Sequence, residues 1–423
     1  MKYKKNVDIM KGEKMILVLV SDFMQDEIYL KEEIKYYKNM DQTIIFTVRG
    51  HVYSNSHLQI PDYIQVGELD IFYRSNFDRI KYLLKGLFNK EFFKEFKYLI
   101  EKKKLSIASL KSLSLFVAKG ALVNKRISKK LDELKIDKKE KIIFYTYRVG
   151  FSSLACCNLK NIYVNSKVVT RAHAQDIFEF RNKECYLPYR KYLYNNINEV
   201  YCISKDGMNY LYNTKKELKN KLFLHRLGTK DININKNINN KKFVILTCSR
   251  IAKIKRLHLL AKTLENIKDA DISWIHYGDG DSNYLEKINK YIKNCGSNIN
   301  IEFKGFYDNY EYLEEISIEP YSIFINIRES EGLPVSIMEA ESVGLPIIAT
   351  NVGGTSEAVV DGYNGILIDK DFSISDLKNS ILKFKSMDKE EFNVYRMNSR
   401  KIWESKFKLS ENYSKFIDHI KEL

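Results

Sequence analysis

Short apolar runs alternate with longer amphipathic segments along most of this 423-residue chain. The first cycle is an apolar run from Met15 to Val20, a helical pattern around Tyr29 to Tyr37 and a second run from Thr43 to Val48. Buried parallel strands have this continuous apolar character, and the helices between them carry one apolar face. The pattern therefore predicts an α/β fold with doubly wound parallel sheets.

The alternation stops at a polar segment and restarts with a new apolar run at Phe243, which predicts two domains in a chain too long for one core. Predicted strands of the first half lie at residues 141–147, 161–164, 167–173 and 199–204; those of the second half are KFVILTC, DISWIHYG, IEFKGF, SIFINI, LPIIA and GILI. The polar, Asn-rich segment 229–242 is the predicted linker. We thus expect a first domain at 1–228, a second at 243–400 and a final helix at 401–423.

The net charge of +16 is concentrated in one part of the chain. Residues 71–140 contain 19 Lys and Arg against 8 Asp and Glu, and apolar and basic residues alternate there with helical spacing. Residues 76–135 are therefore predicted to form basic amphipathic helices. Two interpretations stay open, namely contact with an anionic membrane surface and a solvated lysine-rich face. Nucleic acid is not an expected partner, because no recognition motif accompanies the charge.

Cysteine usage and apolar run lengths bear on the compartment. The six cysteines have no CxxC spacing and suggest no disulfide framework, which favours a reduced, cytoplasmic environment. The run at Met15 is too short for a signal peptide and is read as a core strand, and no run predicts a bilayer span. We expect a cytoplasmic protein, or one peripheral to the inner face of the cytoplasmic membrane.

The most informative segment lies between Arg328 and Val359, RESEGLPVSIMEAESVGLPIIATNVGGTSEAV. It is predicted to form a loop, a helix beginning near Pro334, a short buried strand, and a second loop leading to a helix near Ser356. Both loops then follow parallel strands, so they open at the same sheet edge, where helix N-termini favour anions. Of the acids in the first helix, Glu341 is expected to be a surface acid.

The order of acid, Gly, seven-residue gap, acid, Gly-x-Pro, strand and Gly-Gly resembles the donor-site signature of retaining glycosyltransferase family 4, the group 1 glycosyltransferases of the GT-B fold. That resemblance implies two Rossmann-like domains facing across a cleft, with the C-terminal helix crossing back to the first domain. It also implies that Glu331 meets the transferred sugar and that Glu339 binds the ribose of the nucleotide. An ionised carboxylate can accept hydrogen bonds from two vicinal hydroxyls.

The resemblance extends to three further positions. Arg250 and Lys255, after the first strand of the second domain, correspond to the family's Arg and Lys that grip the donor diphosphate, although Lys253 could take the place of Lys255. His173, just past a strand of the first domain, corresponds to a His that faces the sugar. The catalytic set implied is His173, Glu331, Arg250 and Lys255; the donor-binding set is Arg250, Lys255, Glu331, Gly332, Leu333, Pro334, Val335 and Glu339.

The chain also departs from the family pattern. Pro334 stands where a Gly is usual and supplies no N–H to the donor. The Gly-rich first loop is replaced by SDFMQDE at residues 21–27. The carboxylate pairs DAD at 269–271 and DGD at 279–281 are read as turns, and neither a metal nor another cofactor is expected, since the nucleotide sugar is a substrate.

The resemblance thus implies a retaining hexosyltransferase that moves a sugar from a UDP- or GDP-linked donor to a glycan or lipid-linked acceptor in capsule, lipopolysaccharide or exopolysaccharide synthesis. Two alternatives stay open. One is a GT-B phosphorylase or synthase that uses a sugar phosphate. The other is a catalytically silent homologue that serves as a partner protein.

Overall fold

The computed structural model describes residues 14–21, 27–48, 60–69, 90–235 and 242–423. These residues form two compact units. The first contains the chain up to Ile203, the segment Gly207–His225 and the last ten residues, Ser414–Leu423. The second contains Ser204–Asp206 and Arg226–Tyr413.

The first unit is built on a parallel sheet, which among the described residues has seven strands in the order β3-β2-β1-β4-β5-β6-β7. The strands are β1 Met15–Val20, β2 Gln42–Val48, β3 Ile64–Leu69, β4 Lys141–Thr146, β5 Ser166–Ala172, β6 Glu199–Cys202 and β7 Leu222–Leu224. The helices are α1 Glu27–Glu33, α2 Lys90–Glu101, α3 Ile107–Glu133, α4 Phe151–Leu159, α5 Ala174–Ile177, α6 Arg190–Asn196 and α7 Lys205–Thr214, the first residues of α7 belonging to the second unit. The order reverses between β1 and β4, as in doubly wound sheets.

The predicted basic helices are confirmed where the structure describes them, as α2 and α3; residues 76–89 of the block lie outside the described residues. α3 is long and apolar enough to span a bilayer by those two criteria alone. One side of it, with Leu113, Val123 and Ile127, is buried in the core of the unit, while Lys111 and Lys125 are exposed on the other. We therefore interpret α3 as an amphipathic core helix.

One predicted strand is wrong. Residues 161–164 form turns that end α4, with the amides of Ile162 and Tyr163 donating to the carbonyl of Leu159 at 2.8 and 2.9 Å. Val164 is 75% exposed, so the apolar letters there do not mark a buried strand. The run is short and follows an apolar helix directly, which is the situation in which periodicity does not separate a strand from a helix end.

A buried ion pair lies under the first sheet. The Arg171 guanidinium contacts Glu33 at 2.9 Å, and both side chains are fully buried. Arg171 also donates to the Tyr145 hydroxyl at 2.8 Å, and its guanidinium carbon lies 4.4 Å from the Phe416 ring centroid. Phe416 belongs to the last helix, so the C-terminus of the chain completes the core of the first unit.

The second unit has its own parallel sheet, of six strands among the described residues, in the order β10-β9-β8-β11-β12-β13. The strands are β8 Phe243–Cys248, β9 Ile272–Tyr277, β10 Ile299–Gly305, β11 Ile323–Asn326, β12 Ile347–Thr350 and β13 Gly365–Ile368. The helices are α8 Leu257–Glu265, α9 Ser282–Ile292, α10 Asn309–Ile318, α11 Val335–Ser342, α12 Thr355–Ala358, α13 Ile374–Ser386, α14 Lys389–Lys406 and α15 Leu409–Glu422, whose last residues belong to the first unit.

Part of the segment 229–242 packs on the second unit. The Asn235 side chain is buried and donates to the carbonyls of Ile316 and Glu319 at 3.1 and 2.7 Å. Thr229 accepts from the Trp403 indole at 2.7 Å. Residues 236–241 lie outside the described residues.

Candidate active site

The candidate site of the second unit lies where its strand order reverses. β8 and β11 are neighbours in the sheet and run parallel, so the loops that follow Cys248 and Asn326 open at the same edge. Ligands of open parallel sheets bind at such switch points, outside the carboxyl ends of the strands. A small pocket there is lined by residues of both loops, among them Ser249, Lys255 and Arg328. The backbone joins the two loops, since the Glu329 amide donates to the Ile254 carbonyl at 3.0 Å.

Three cationic side chains converge at this edge. Lys255 lies in the pocket, whereas Lys253 is exposed and does not line it, so the geometry favours Lys255 over Lys253 as an anion ligand. Burial, together with the positive charges of Arg328 and Arg250, lowers the pKa of Lys255 to about 7. Arg250 is exposed and has no side-chain hydrogen bond among the described residues. Crowded cations with few acceptors are suited to a bound anion.

Glu339 approaches the same place from α11. Its side chain is buried and accepts from the Asn309 amide at 2.8 Å, which leaves the rest of the carboxylate available to a ligand. Burial raises the pKa of Glu339 to about 7. The pKa of the Cys248 thiol is raised to about 12, chiefly by burial; the charge of Glu339 also raises it and the charge of Lys255 lowers it. The residues predicted to bind the ribose and the diphosphate therefore both lie near Cys248, at the end of β8.

Glu331 is held in the loop between β11 and α11. It is buried, forms an ion pair with Arg328, and accepts from the Gly332 amide at 3.0 Å. The remaining residues of the predicted donor-binding set lie beside it: Leu333 and Pro334 are buried, Pro334 is the N-cap of α11, and Val335 is its first residue. The predicted loop and helix are confirmed, and the proline precedes the helix as its missing N–H requires.

The Gly-Gly pair allows a second loop to pack against Glu331. Gly353 has φ +54°, and a Cβ there would lie 2.0 Å from the Glu331 carbonyl oxygen. A Cβ on Gly354 would lie 2.2 Å from the Gly332 carbonyl, which accepts from the Gly354 amide at 2.9 Å. Only glycine permits this approach. The loops after β11 and β12 therefore support each other, as adjacent parallel strands predict.

His173 is the candidate residue of the first unit. It caps α5 at the end of β5, where its amide donates to Asp176 at 3.1 Å. The imidazole is buried, and burial together with Arg148 and Arg171 holds its pKa well below the usual value, so the ring is neutral. Among the described residues Nε2 has no hydrogen-bond partner. A buried neutral ring nitrogen without a partner is suited to a ligand hydroxyl.

The prediction that Glu341 is a surface acid is wrong. Its side chain is fully buried and accepts from the Asn364 amide at 2.9 Å. Burial raises its pKa well above the usual value. α11 contacts α14 as well as β11 and β12, and these contacts leave Glu341 closed to solvent. A polar residue in a helix is therefore not necessarily exposed to solvent when other elements cover the helix.

Two residues of the site had no sequence signal. Arg328 directly follows an apolar run and belongs to no motif. It nevertheless forms an ion pair with Glu331, and its positive charge helps to lower the pKa of Lys255. Asn309 precedes Glu339 by 30 residues and reaches it only through the packing of α10. Of the two carboxylate pairs, Asp281 caps α9 by accepting from the Tyr284 amide at 3.1 Å. Among the described residues no cluster of three or more metal-ligating side chains occurs.

Comparison with known proteins gives a family match for part of the chain. Residues 229–401 match the model of the family described as Glycosyl transferases group 1. The O-antigen biosynthesis glycosyltransferase WbnH of Escherichia coli is 29% identical over 200 residues, which are 45% of this chain and 52% of WbnH. The chain spans about half the length of the curated relatives it matches.

Two solved structures share the fold over nearly the whole chain. A glycosyltransferase from Rickettsia africae superposes with a TM-score of 0.68 at 18% identity, covering 97% of this chain and 98% of its own. Anabaena HepE, in complex with UDP and glucose, has a TM-score of 0.66 at 14% identity and covers 96% and 99%. At these identities the likeness concerns the fold. Residues 229–401 therefore belong to the group 1 glycosyltransferases, and the chain has the GT-B fold.

Proposed function

We propose that this protein is a retaining glycosyltransferase that transfers a sugar from a nucleotide diphosphate to a glycan or lipid-linked acceptor in cell-surface polysaccharide synthesis. The observation that carries the proposal is the grouping of Lys255, Arg328 and Arg250 beside Glu339 at the switch point of the second sheet. Polysaccharide synthesis is supported by the O-antigen relative WbnH. A nucleotide donor is supported by HepE, which was solved with UDP and glucose.

Each candidate residue has a role in this reaction. The bond between the anomeric carbon and the donor phosphate oxygen breaks, and negative charge develops on the leaving diphosphate. Arg250 and Lys255 stabilise that charge as it forms, which is where electrostatic catalysis is most effective. Glu339 accepts from the ribose hydroxyls, Glu331 orients the transferred sugar, and His173 contacts a sugar hydroxyl through its neutral ring.

The acceptor completes the exchange with no added reagent. Its hydroxyl oxygen bonds to the anomeric carbon on the face that the phosphate leaves, and its proton passes to the departing phosphate oxygen. No step is assigned to a divalent metal, since side-chain cations meet the diphosphate charge. EDTA is therefore expected to leave the transfer rate unchanged, and a rate restored only by added Mg²⁺ or Mn²⁺ would contradict this part of the proposal.

The proposal is tested by screening UDP-, GDP- and ADP-sugars for thermal stabilisation of the full chain and for release of nucleoside diphosphate. One donor class should stabilise the protein and be consumed. Arg250→Ala should lower turnover, and Glu339→Gln should raise the KM for the donor. Lys253→Ala removes a cation from the same loop outside the pocket and should match the wild type. Equal effects of Lys253→Ala and Arg250→Ala would refute the site.

The two alternatives predict other outcomes. A phosphorylase or synthase would respond to sugar 1-phosphates and to no nucleotide sugar. A silent homologue would release no nucleoside diphosphate from any donor.

We also propose that α2 and the start of α3 contact an anionic membrane surface from the cytoplasmic side. Phe93, Ile100 and Ile107 are 62%, 52% and 88% exposed, and the exposed Lys97 and Lys103 lie among them in sequence. Exposed apolar side chains with neighbouring lysines are suited to the interface of an anionic bilayer. Flotation with phosphatidylglycerol vesicles should be lost in Phe93→Ser/Ile107→Ser. Equal flotation with neutral phosphatidylcholine vesicles would remove this proposal.

A further inference from the structure

The first unit contains a cavity of about 510 Å³, and none of the residues proposed to bind the donor lines it. Its walls come from α2, the segment that follows α5, α6 and the end of α7. The volume lies in the range of small-molecule sites. His173 does not line it either.

Two acids of the cavity are fixed by neighbouring donors. Glu95 is buried and accepts from the Tyr186 hydroxyl at 2.9 Å and from the Tyr189 amide at 3.0 Å. Glu179 lies between Lys104 at 3.0 Å and Lys215 at 2.5 Å. Carboxylates held in this way are acceptors in fixed positions, able to take hydrogen bonds from ligand hydroxyls.

Aromatic walls accompany these acceptors. Tyr98, Tyr186 and Tyr194 line the cavity. Tyr194 is 1% exposed, and its hydroxyl has no hydrogen-bond partner among the described residues. A buried hydroxyl without a partner is rare in a folded protein and marks a place where a ligand or water group completes the network. Tyrosine rings also offer flat apolar surface with a polar end.

Some cationic side chains of the cavity are not paired with its carboxylates. Arg190 is committed to backbone carbonyls, including those of Val149 and Asp176 at 2.8 and 2.9 Å. Lys102 and Lys191 line the cavity, are exposed, and have no side-chain partner among the described residues. These two ammonium groups are available to an anion. The three carboxylates of the same lining, Glu95, Glu179 and Glu217, disfavour a polyphosphate, which would meet like charge.

From this combination we infer that the cavity binds a saccharide that carries an anionic group, such as a uronate or a sugar phosphate. The carboxylates of Glu95 and Glu179 accept from its hydroxyls, the tyrosines cover its C–H surface, and Lys102 and Lys191 pair with its acid. The site lies outside the residues proposed for transfer. Its role in catalysis rests on the proposed transfer function, in which the cavity would hold part of an acidic glycan while the second unit binds the donor.

The test is calorimetric titration of the full chain with α-1,4-linked tetragalacturonate, glucose 6-phosphate and neutral maltotetraose. At least one anionic saccharide should bind, and maltotetraose should bind more weakly. Lys102→Ala/Lys191→Ala should weaken the anionic saccharide at least about fivefold, the loss of two charge-assisted contacts. Lys111→Ala/Lys138→Ala removes two exposed lysines of the same unit that do not line the cavity, and should bind as the wild type does.

Three results would overturn the inference: no binding of either anionic saccharide, equal losses in the two lysine pairs, or maltotetraose binding as tightly as the anionic saccharide that binds best. The uronate and phosphate arms identify the acid. Phosphatidylglycerol vesicles that lose binding in Lys102→Ala/Lys191→Ala, with no saccharide bound, would assign the lysines to the membrane instead and contradict the inference. Binding is measured without donor, and Glu339→Gln should leave it unchanged, so its outcome is separate from that of the proposed transfer activity.

Discussion

Burial shifts the pKa values of two ionisable side chains of the candidate site towards neutrality from opposite directions. Burial and neighbouring cations lower the pKa of Lys255 to about 7, and burial raises the pKa of Glu339 to about 7. The proposed donor needs Lys255 charged for the diphosphate and Glu339 ionised for the ribose. Their required protonation states overlap only around neutrality.

Donor affinity should therefore have a maximum near pH 7. Above this pH free Lys255 loses its proton, so binding must first recharge it and the affinity falls; below it Glu339 becomes neutral and the affinity falls again. The measurement is the Kd of the nucleotide sugar, whose esterified diphosphate does not titrate here, from about pH 5.5 to about pH 8.5.

Variants separate the two limbs. Lys255→Arg keeps its charge and should abolish the alkaline fall, whereas Glu339→Gln should bind weakly and lose the acid fall. Lys253→Ala should keep both. A Kd that does not change with pH in the wild type would contradict the assignment of these two groups.

The candidate-site residues that the sequence singles out belong to a local pattern. Arg250, Lys255, Glu331 and Glu339 follow strands or lie on a helix in a recognisable order, and the structure brings the last three to one sheet edge with Arg250 beside them. The partners of these residues were not predictable, because Arg328 and Asn309 act through packing rather than spacing. The local sequence around Arg328 and Asn309 does not distinguish them from an Arg or Asn exposed at the surface.

At the scale of elements, the loops after β11 and β12 depend on each other. Gly353 and Gly354 bring the second loop onto the backbone of Glu331 and Gly332. Any side chain at Gly353 must displace the Glu331 carbonyl or break this contact. The position of the Glu331 carboxylate is thus set by a neighbouring loop as well as by its own.

Gly353→Ala should weaken donor binding by roughly tenfold or more, since it moves Glu331. Gly362→Ala is the matched control, because Gly362 also has positive φ, at +70°, but a Cβ there meets nothing within 4 Å. Both changes should lower the free energy of unfolding by about 1 kcal/mol from the left-handed backbone alone. Equal donor affinity in the two variants would show that the loop contact does not position Glu331.

Most strands follow from the apolar runs because each run is both buried and bounded by turns. The false strand at residues 161–164 and the buried Glu341 show the limit of this reasoning. Residues 161–164 form turns because they end a helix, and Glu341 is buried because elements distant in the sequence pack over it. Neither a helix end nor a distant contact produces a periodic pattern of apolar residues in the local sequence. The burial of Arg171 was not predictable either, because its partner Glu33 lies 138 residues away in the sequence.

At the scale of the whole molecule, the chain begins in the first unit, builds the second, and returns to the first with its last ten residues. The resemblance implied this return, and the structure shows its physical basis. Phe416, Ile417 and Ile420 are buried in the core beneath the first sheet. The first unit therefore lacks part of its core without Ser414–Leu423.

Phe416→Ala should lower the free energy of unfolding of the first unit by about 3 to 5 kcal/mol, because it leaves a cavity against Arg171 and Tyr145. Native-state hydrogen exchange should show faster exchange in β4, β5 and β6, with β8 and β11 of the second unit unaffected. Lys421→Ala, an exposed position on the same helix, should change neither. Protection unchanged in the strands of the first unit would contradict this role of the C-terminal helix.

A crystal structure of the full chain with the nucleoside diphosphate of the donor that the screen selects would show directly where the nucleotide binds. The diphosphate is expected within hydrogen-bonding distance of Arg250 and Lys255, with the ribose hydroxyls on the Glu339 carboxylate. A nucleotide bound away from the ends of β8 and β11, or bound there with its ribose turned from Glu339, would contradict it.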